Sequence, residues 1–247
     1  MRIFLVSTPR SGNMWARRLL RALFELEERS AHTIDGVAWD DLPERCIVQL
    51  HTVRTNELET LLERHGFRVA VLARHPFDVL ISILHFARHE PETAQWLGGA
   101  GGDESRILEA EPTSRAFVRY ATSPRAKALL SVSPQWWNRA DVRIRYEDMV
   151  ADTRGELEHV IDALDEVPAR SVDEVLAEVN FDRLQQEATN RHFWQGSSGT
   201  WQQLLTAPIA RKLYDTHERV LETLGYMTLP DKETARARWT DLRIHPR

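Results

Sequence analysis

Four short apolar runs, each closed by a turn and followed by helical spacing, leave this chain few architectures. Residues 2–7 (RIFLVS), 46–50 (CIVQL), 68–73 (RVAVLA) and 142–146 (VRIRY) read as strands, short and apolar enough to be buried. Helical spacing follows the first from Met14 to about Leu26, with Trp15, Leu19, Leu20, Leu23 and Phe24 on one side. Residues 56–65 read as a helix capped by Asn56. Pro76 suits a helix start, because its missing N–H would have no intrahelical partner there, and this helix continues through Val79, Leu80, Ile83 and Phe86. Helices are also expected at 147–164, twice within 171–190, and at 206–225. Strands alternating with helices predict an α/β fold, a single domain over 1–247 with a central, mostly parallel sheet flanked by helices. In such sheets ligands sit beyond the carboxyl ends of the strands, so residues 8–15, His51 and the segment from Arg74 onward are expected to converge.

Bulk composition narrows the class. A chain of 247 residues, 42% hydrophobic and 28% charged, is long enough for one sizeable core. Its net charge of −5 argues against generic binding to nucleic acid or anionic membranes. The lone Cys46 excludes an internal disulfide framework and suits a reducing compartment. The first apolar run stops at Ser7, short of a signal sequence or a spanning helix, so the expected location is the cytoplasm.

The first strand-to-helix junction, Thr8-Pro-Arg-Ser-Gly-Asn-Met-Trp15, has the chemistry of an anion site. A helix N-terminus offers free N–H groups and partial positive charge. Gly12 allows close backbone approach, Thr8 and Ser11 bring hydroxyls, and Arg10 brings a forked, permanent cation. The pattern is not a Walker A loop, which would require a lysine after the second glycine. Alone, the same residues also fit an ordinary turn in which Ser11 caps the helix and Arg10 is solvated.

This junction resembles the 5′-phosphosulfate loop of the cytosolic-type sulfotransferases, T-x-P-K-S-G-T-x-W, with Arg10 at the lysine position. Those enzymes take a sulfuryl group from 3′-phosphoadenosine 5′-phosphosulfate (PAPS) and release PAP. Residues 72–86 (LARHPFDVLISILHF) resemble the family's 3′-phosphate segment R-x-x-x-D-x-x-x-S, with Arg74, Asp78 and Ser82 in register. His51 stands 23 residues before Arg74, where the family carries its general base in a K-T-H segment, and Gln49 replaces that lysine. Residues 145–152 (RYEDMVAD) resemble the Y-E-D-M segment, in which Tyr146 would meet the adenine edge while Trp15 stacks on its face. Residues 191–201 resemble the C-terminal loop R-K-G-x-x-G-D-W; Gly196, Gly199 and Trp201 match, whereas Trp194 and Gln195 replace the basic pair and Thr200 the acid. Arg191, three residues upstream, is the substitute cation, and Phe181 joins the nucleotide-side residues on the same resemblance.

The resemblance implies the P-loop-kinase-like sulfotransferase fold and a metal-independent, in-line sulfuryl transfer. In it His51 is the base, Arg10 and the Ser11–Met14 N–H groups, Asn13 included, stabilise the departing bisphosphate, and the acceptor is a hydroxyl or amine. Phe86 and Gln49 face the acceptor by the same comparison. Residues 90–112 are glycine-rich and acidic and read either as a lid or as a solvated loop; Trp96, Trp136 and Trp137 fit a sugar or aromatic pocket, or core. The acceptor class stays open among small molecules, lipids and carbohydrates. Two other readings compete: a small-molecule kinase of related architecture, and a non-catalytic PAP or nucleotide sensor. The family's C-terminal dimer motif is not evident in 226–247.

Overall fold

The computed structural model describes residues 1–31, 33–89, 104–179 and 196–226. Two compact units are distinguished, Met1–Arg74 with Ser131–Leu184, and His75–Leu130 with Gln185–Arg247. The first carries a five-stranded parallel sheet flanked by helices, as the alternation predicts. Its strands are β1 (Arg2–Ser7), β2 (Glu27–Ser30), β3 (Cys46–Leu50), β4 (Phe67–Ala73) and β5 (Val142–Arg145), in spatial order β2-β3-β1-β4-β5. β1 lies between β3 and β4, with Phe4 level with Val48 on one side and Val69 on the other. Because β1 is central, both its faces are covered, and Ile3 to Val6 have no exposed surface. The chain passes from β1 outward to the β2 edge and from β3 across β1 to β4. The reversal of direction at β1 makes its carboxyl end a topological switch point.

Helix α1 (Asn13–Phe24) buries Trp15, Ala16, Leu19, Leu20, Leu23 and Phe24. At about 1.5–3 kcal/mol for each large side chain, this stripe dominates the energetics of holding the helix on the sheet. β2 is absent from the periodicity reading because EERS is charged and pairs only as an edge strand. Helix α2 (Asn56–Arg64) is capped by Thr55, not Asn56: the Thr55 hydroxyl accepts from Leu58 N–H, and Asn56 is already helical. The expected helix 147–164 is two helices, Tyr146–Ala151 and Thr153–Leu164, divided at Asp152. Asp152 turns the chain and caps the second helix by accepting from Gly155 N–H. Tyr146 opens a helix instead of closing β5. Of the two helices expected in 171–190, the described part shows Val172–Glu178 with a Ser171–Glu174 capping box.

The second unit is built on α3 (Pro76–His89), which is buried from Pro76 through Ala87. A helix apolar all round needs neighbours on every side. Helices Arg115–Ala121, Pro124–Leu130, Trp201–Leu204 and Ala207–Leu224 provide that core. The last helix bends at His217, whose φ of −121° leaves the helical region and whose Nε2–H donates to the Ala121 carbonyl at 2.7 Å. Glu104, in the acidic segment read as a lid or a solvated loop, is fully buried; its Oε1 accepts from the Tyr120 hydroxyl at 3.0 Å and Arg125 Nε at 3.1 Å. No helix among the described residues is long and apolar enough to cross a membrane.

Candidate functional site

The turn after β1 departs from ordinary helix-capping geometry. Arg10 and Gly12 both have positive φ, 67° and 95°. For arginine this left-handed backbone costs about 1–2 kcal/mol, and such strain persists where the surroundings impose it. Gly12 is the N-cap of α1, with no side-chain cap, so Ser11 does not cap the helix. The Ser11 side chain is fully buried and its hydroxyl has no hydrogen-bond partner among the described residues. A buried hydroxyl left unpaired costs about 1–3 kcal/mol, which an oxyanion accepting its proton would offset. An anionic group therefore fits this turn.

Three other elements of the first unit hold the turn in place. Thr8 N–H donates to Ser133 Oγ at 2.8 Å, and Ser133 N–H donates back to the Thr8 hydroxyl at 3.2 Å. Ser133 Oγ–H goes on to the Leu72 carbonyl at 2.8 Å. The Arg74 guanidinium donates to the Arg10 carbonyl at 3.3 Å and lies 4.2 Å over the Tyr146 ring. That ring also packs against Gly12: a Cβ added there would come within 2.5 Å of Tyr146 Cδ2. Trp15 meets Tyr146 edge-on at 6.3 Å, and both side chains are buried. Trp136 and Trp137 are also buried, Trp136 against Phe4 with its indole N–H on the Thr52 carbonyl.

His51 follows β3, one strand away. Its Nδ1 lies 2.7 Å from the Ser7 carbonyl, which can only accept, so Nδ1 carries the proton and Nε2 keeps the lone pair. Gln49 Nε2 donates to that Nε2 at 3.2 Å. Burial lowers the His51 pKa from 6.5 to about 4, with the charges of Arg10 and Arg17 acting in the same direction against the Ser7 hydrogen bond. The ring is thus neutral at pH 7, with its basic nitrogen already selected. Arg10, Arg74, His51, Gln49 and Tyr146 are gathered around the carboxyl ends of β1, β3 and β4, the edge marked by the switch point. Ser133 and Arg17 belong to this group and escaped the sequence reading. Ser133 comes from a helix 125 residues beyond Thr8, and Arg17 carries no motif.

Ser82, Phe86 and Gly196 lie in the second unit. Ser82 and Phe86 are buried on α3, and Gly196 has φ 60°. Asp78 in the first turn of α3 is buried, and its carboxylate receives Gly199 N–H at 2.7 Å and Trp201 N–H at 2.9 Å. Trp201 stacks on His75 at 4.9 Å. This carboxylate ties the segment 196–201 to the start of α3, and the sequence motif named the residue without its task. Phe181, Arg191, Trp194, Gln195 and Trp96 lie outside the described residues, as do 90–103 of the acidic segment. Among the described residues no group of three or more His, Cys, Asp or Glu could hold a metal ion.

A family model described as "Sulfotransferase domain" matches residues 1–225. No curated protein sequence matches. Among solved structures, the chain is similar to mouse sulfotransferase SULT7A1 complexed with PAP, with a TM-score of 0.67 and 17% identity over 92% of this chain and 89% of that one. It is also similar to retinol dehydratase in complex with androsterone and the inactive cofactor PAP, with a TM-score of 0.55 and 14% identity over 90% of this chain and 80% of that one. At these identities the structural likeness concerns the fold.

Proposed function

The chain belongs to the sulfotransferase domain family, and from that premise we propose that it moves a sulfuryl group from PAPS to a hydroxyl or amine of a small-molecule, lipid or glycan acceptor, releasing PAP. One observation carries the reading. A turn with two positive φ angles, holding a buried Ser11 hydroxyl that no described residue pairs with, sits on the strand next to a neutral histidine whose Nε2 is its basic atom.

The chemistry follows from these groups. The acceptor oxygen or nitrogen attacks sulfur, the bond from sulfur to the phosphate oxygen breaks, and the acceptor proton passes to His51 Nε2. The developing imidazolium is stabilised by the Ser7 carbonyl on Nδ1–H. Ser11 Oγ–H, the N–H groups of the turn through Asn13 and Met14, and Arg10 would bind the 5′-phosphosulfate and stabilise charge on the departing phosphate. Arg10 stays charged throughout, so its role is electrostatic and not proton transfer. Arg74 is assigned to the 3′-phosphate, with Tyr146 and Trp15 to the adenine; Thr8 braces the turn from beneath. Ser82, Phe86 and Gly196 keep the assignments their motifs imply. The transferring group is a nearly neutral SO₃ fragment, so fixed cations and amides suffice where phosphoryl transfer recruits Mg²⁺.

The test is ligand-induced thermal stabilisation followed by transfer. PAP at 100 times its Kd should stabilise the fold by about 2.7 kcal/mol, a Tm increase of roughly 5–10 °C for a chain of this length. Label should then move from [³⁵S]PAPS to members of a panel of alcohols, phenols and amines. Stabilisation by ADP with Mg²⁺ in preference to PAP would replace this reading with a kinase. Binding of PAP with no transfer to any member would replace it with a nucleotide sensor.

A further inference from the structure

The family lysine that Gln49 replaces would place a cation beside the base, and the first unit supplies one by another route. Arg17, in the second turn of α1, donates from Nη1 to Gln49 Oε1 at 3.2 Å and pairs through Nη2 with Glu28 Oε1 at 3.2 Å. Gln49 in turn donates from Nε2 to His51 Nε2 at 3.2 Å. The chain Glu28–Arg17–Gln49–His51 joins β2, α1 and β3. Each member fixes the next: a carboxamide whose oxygen faces a guanidinium must turn its NH₂ the other way.

We propose that Arg17 is a positioning residue for the transfer centre, holding Gln49 with its NH₂ on His51 Nε2 and supplying the positive charge that the family's lysine would bring. Two physical effects follow. Nε2 accepts one hydrogen at a time, so the Gln49 NH₂ holds the ring in the resting state and yields Nε2 to the acceptor O–H or N–H, its N–H, polarised through Oε1, then turning to an oxygen of the reacting group. The fixed charge disfavours imidazolium in the resting state, so the base starts unprotonated. Among the described residues, the charges that lower the His51 pKa are Arg10 from the turn after β1 and Arg17 from α1; Glu28 pairs with Arg17, and Ser7 and Gln49 are neutral hydrogen-bond partners.

This inference rests on the sulfuryl-transfer reading for its purpose but not for its measurement. The imidazole nitrogens of His51 are followed by ¹⁵N NMR from pH 4 to 8 without any ligand, its resonance identified by its loss in H51Q. In the native chain Nδ1 should be protonated and Nε2 bare at pH 7. Arg17→Gln should raise the His51 pKa and shift Nε2; Gln49→Met, which cuts the relay without touching the ion pair, should also move Nε2. With PAPS and an acceptor found in the panel, R17Q should lower kcat by roughly ten- to a hundredfold and leave the affinity for PAP unchanged. The double variant R17Q/Q49K, which restores the family lysine, should recover the low pKa and most of the rate. A His51 titration and Nε2 shift unchanged in folded R17Q and Q49M overturn the proposal, as does a rate loss that R17Q/Q49K does not repair. If the native chain neither binds PAP nor transfers sulfate, the functional reading fails while the titrations still decide whether Arg17 controls His51.

Discussion

At His51 a single ring shows how position sets the protonation of an ordinary side chain. The Ser7 carbonyl selects the tautomer, and burial keeps the ring neutral. Replacing His51 by alanine is expected to cost on the order of 10²–10⁴ in rate while calorimetry finds the affinity for PAP retained. Because its pKa is lowered to about 4, kcat/KM should stay level from pH 8 down to about 5 and fall below that, instead of falling near 6.5 as for an exposed histidine. A profile of initial rates against pH checks this. Gly12 makes the complementary case for backbone. At φ 95°, with the Tyr146 ring where a Cβ would go, Gly12→Ala should destabilise the protein by about 1–3 kcal/mol and abolish PAP binding, measured by urea unfolding and calorimetry.

Among elements, the segment 196–201 depends on one carboxylate. Its two N–H groups at Gly199 and Trp201 point at Asp78, and Gly199 turns at φ 74°. Asp78→Asn replaces one acceptor by an NH₂ that faces an N–H donor, leaving a buried group unsatisfied at about 1–3 kcal/mol. Hydrogen exchange at the Gly199 and Trp201 amides should quicken markedly more than at amides of Ala207–Leu224. Equal acceleration in both would show a global loss of stability and no tether. The turn after β1 is held by the same means, the reciprocal Thr8–Ser133 pair standing where a helix cap would.

For the whole molecule, two histidines make acid the weak side. His51 and His217 both have lowered pKa values, in each case chiefly through burial. Unfolding exposes them to their ordinary value near 6.5, so below that pH the unfolded chain binds protons that the folded chain refuses. Stability is therefore full above about pH 6.5 and declines as pH falls toward 4. Urea midpoints measured across that range should fall with pH, and His217→Gln, which keeps a donor for the Ala121 carbonyl, should reduce the slope.

The alternation of buried runs and amphipathic stripes was enough to read a parallel α/β sheet, because both periods are local properties of the chain. It was likewise enough to read the strand-end motifs that mark Arg10, His51 and Arg74, since strands of a parallel sheet deliver their carboxyl ends to one edge. What no local pattern could carry was partnership. β2 is a strand only because β3 offers it hydrogen bonds. Ser133 reaches Thr8 across 125 residues, and Glu104 is buried where the Tyr120 hydroxyl and Arg125 Nε both donate to its Oε1. Arg17 reads in the sequence as one more charge on an amphipathic helix. Only the packing of α1 over β2 and β3 brings it to Gln49, because a hydrogen bond is decided by where two atoms meet and not by either residue alone.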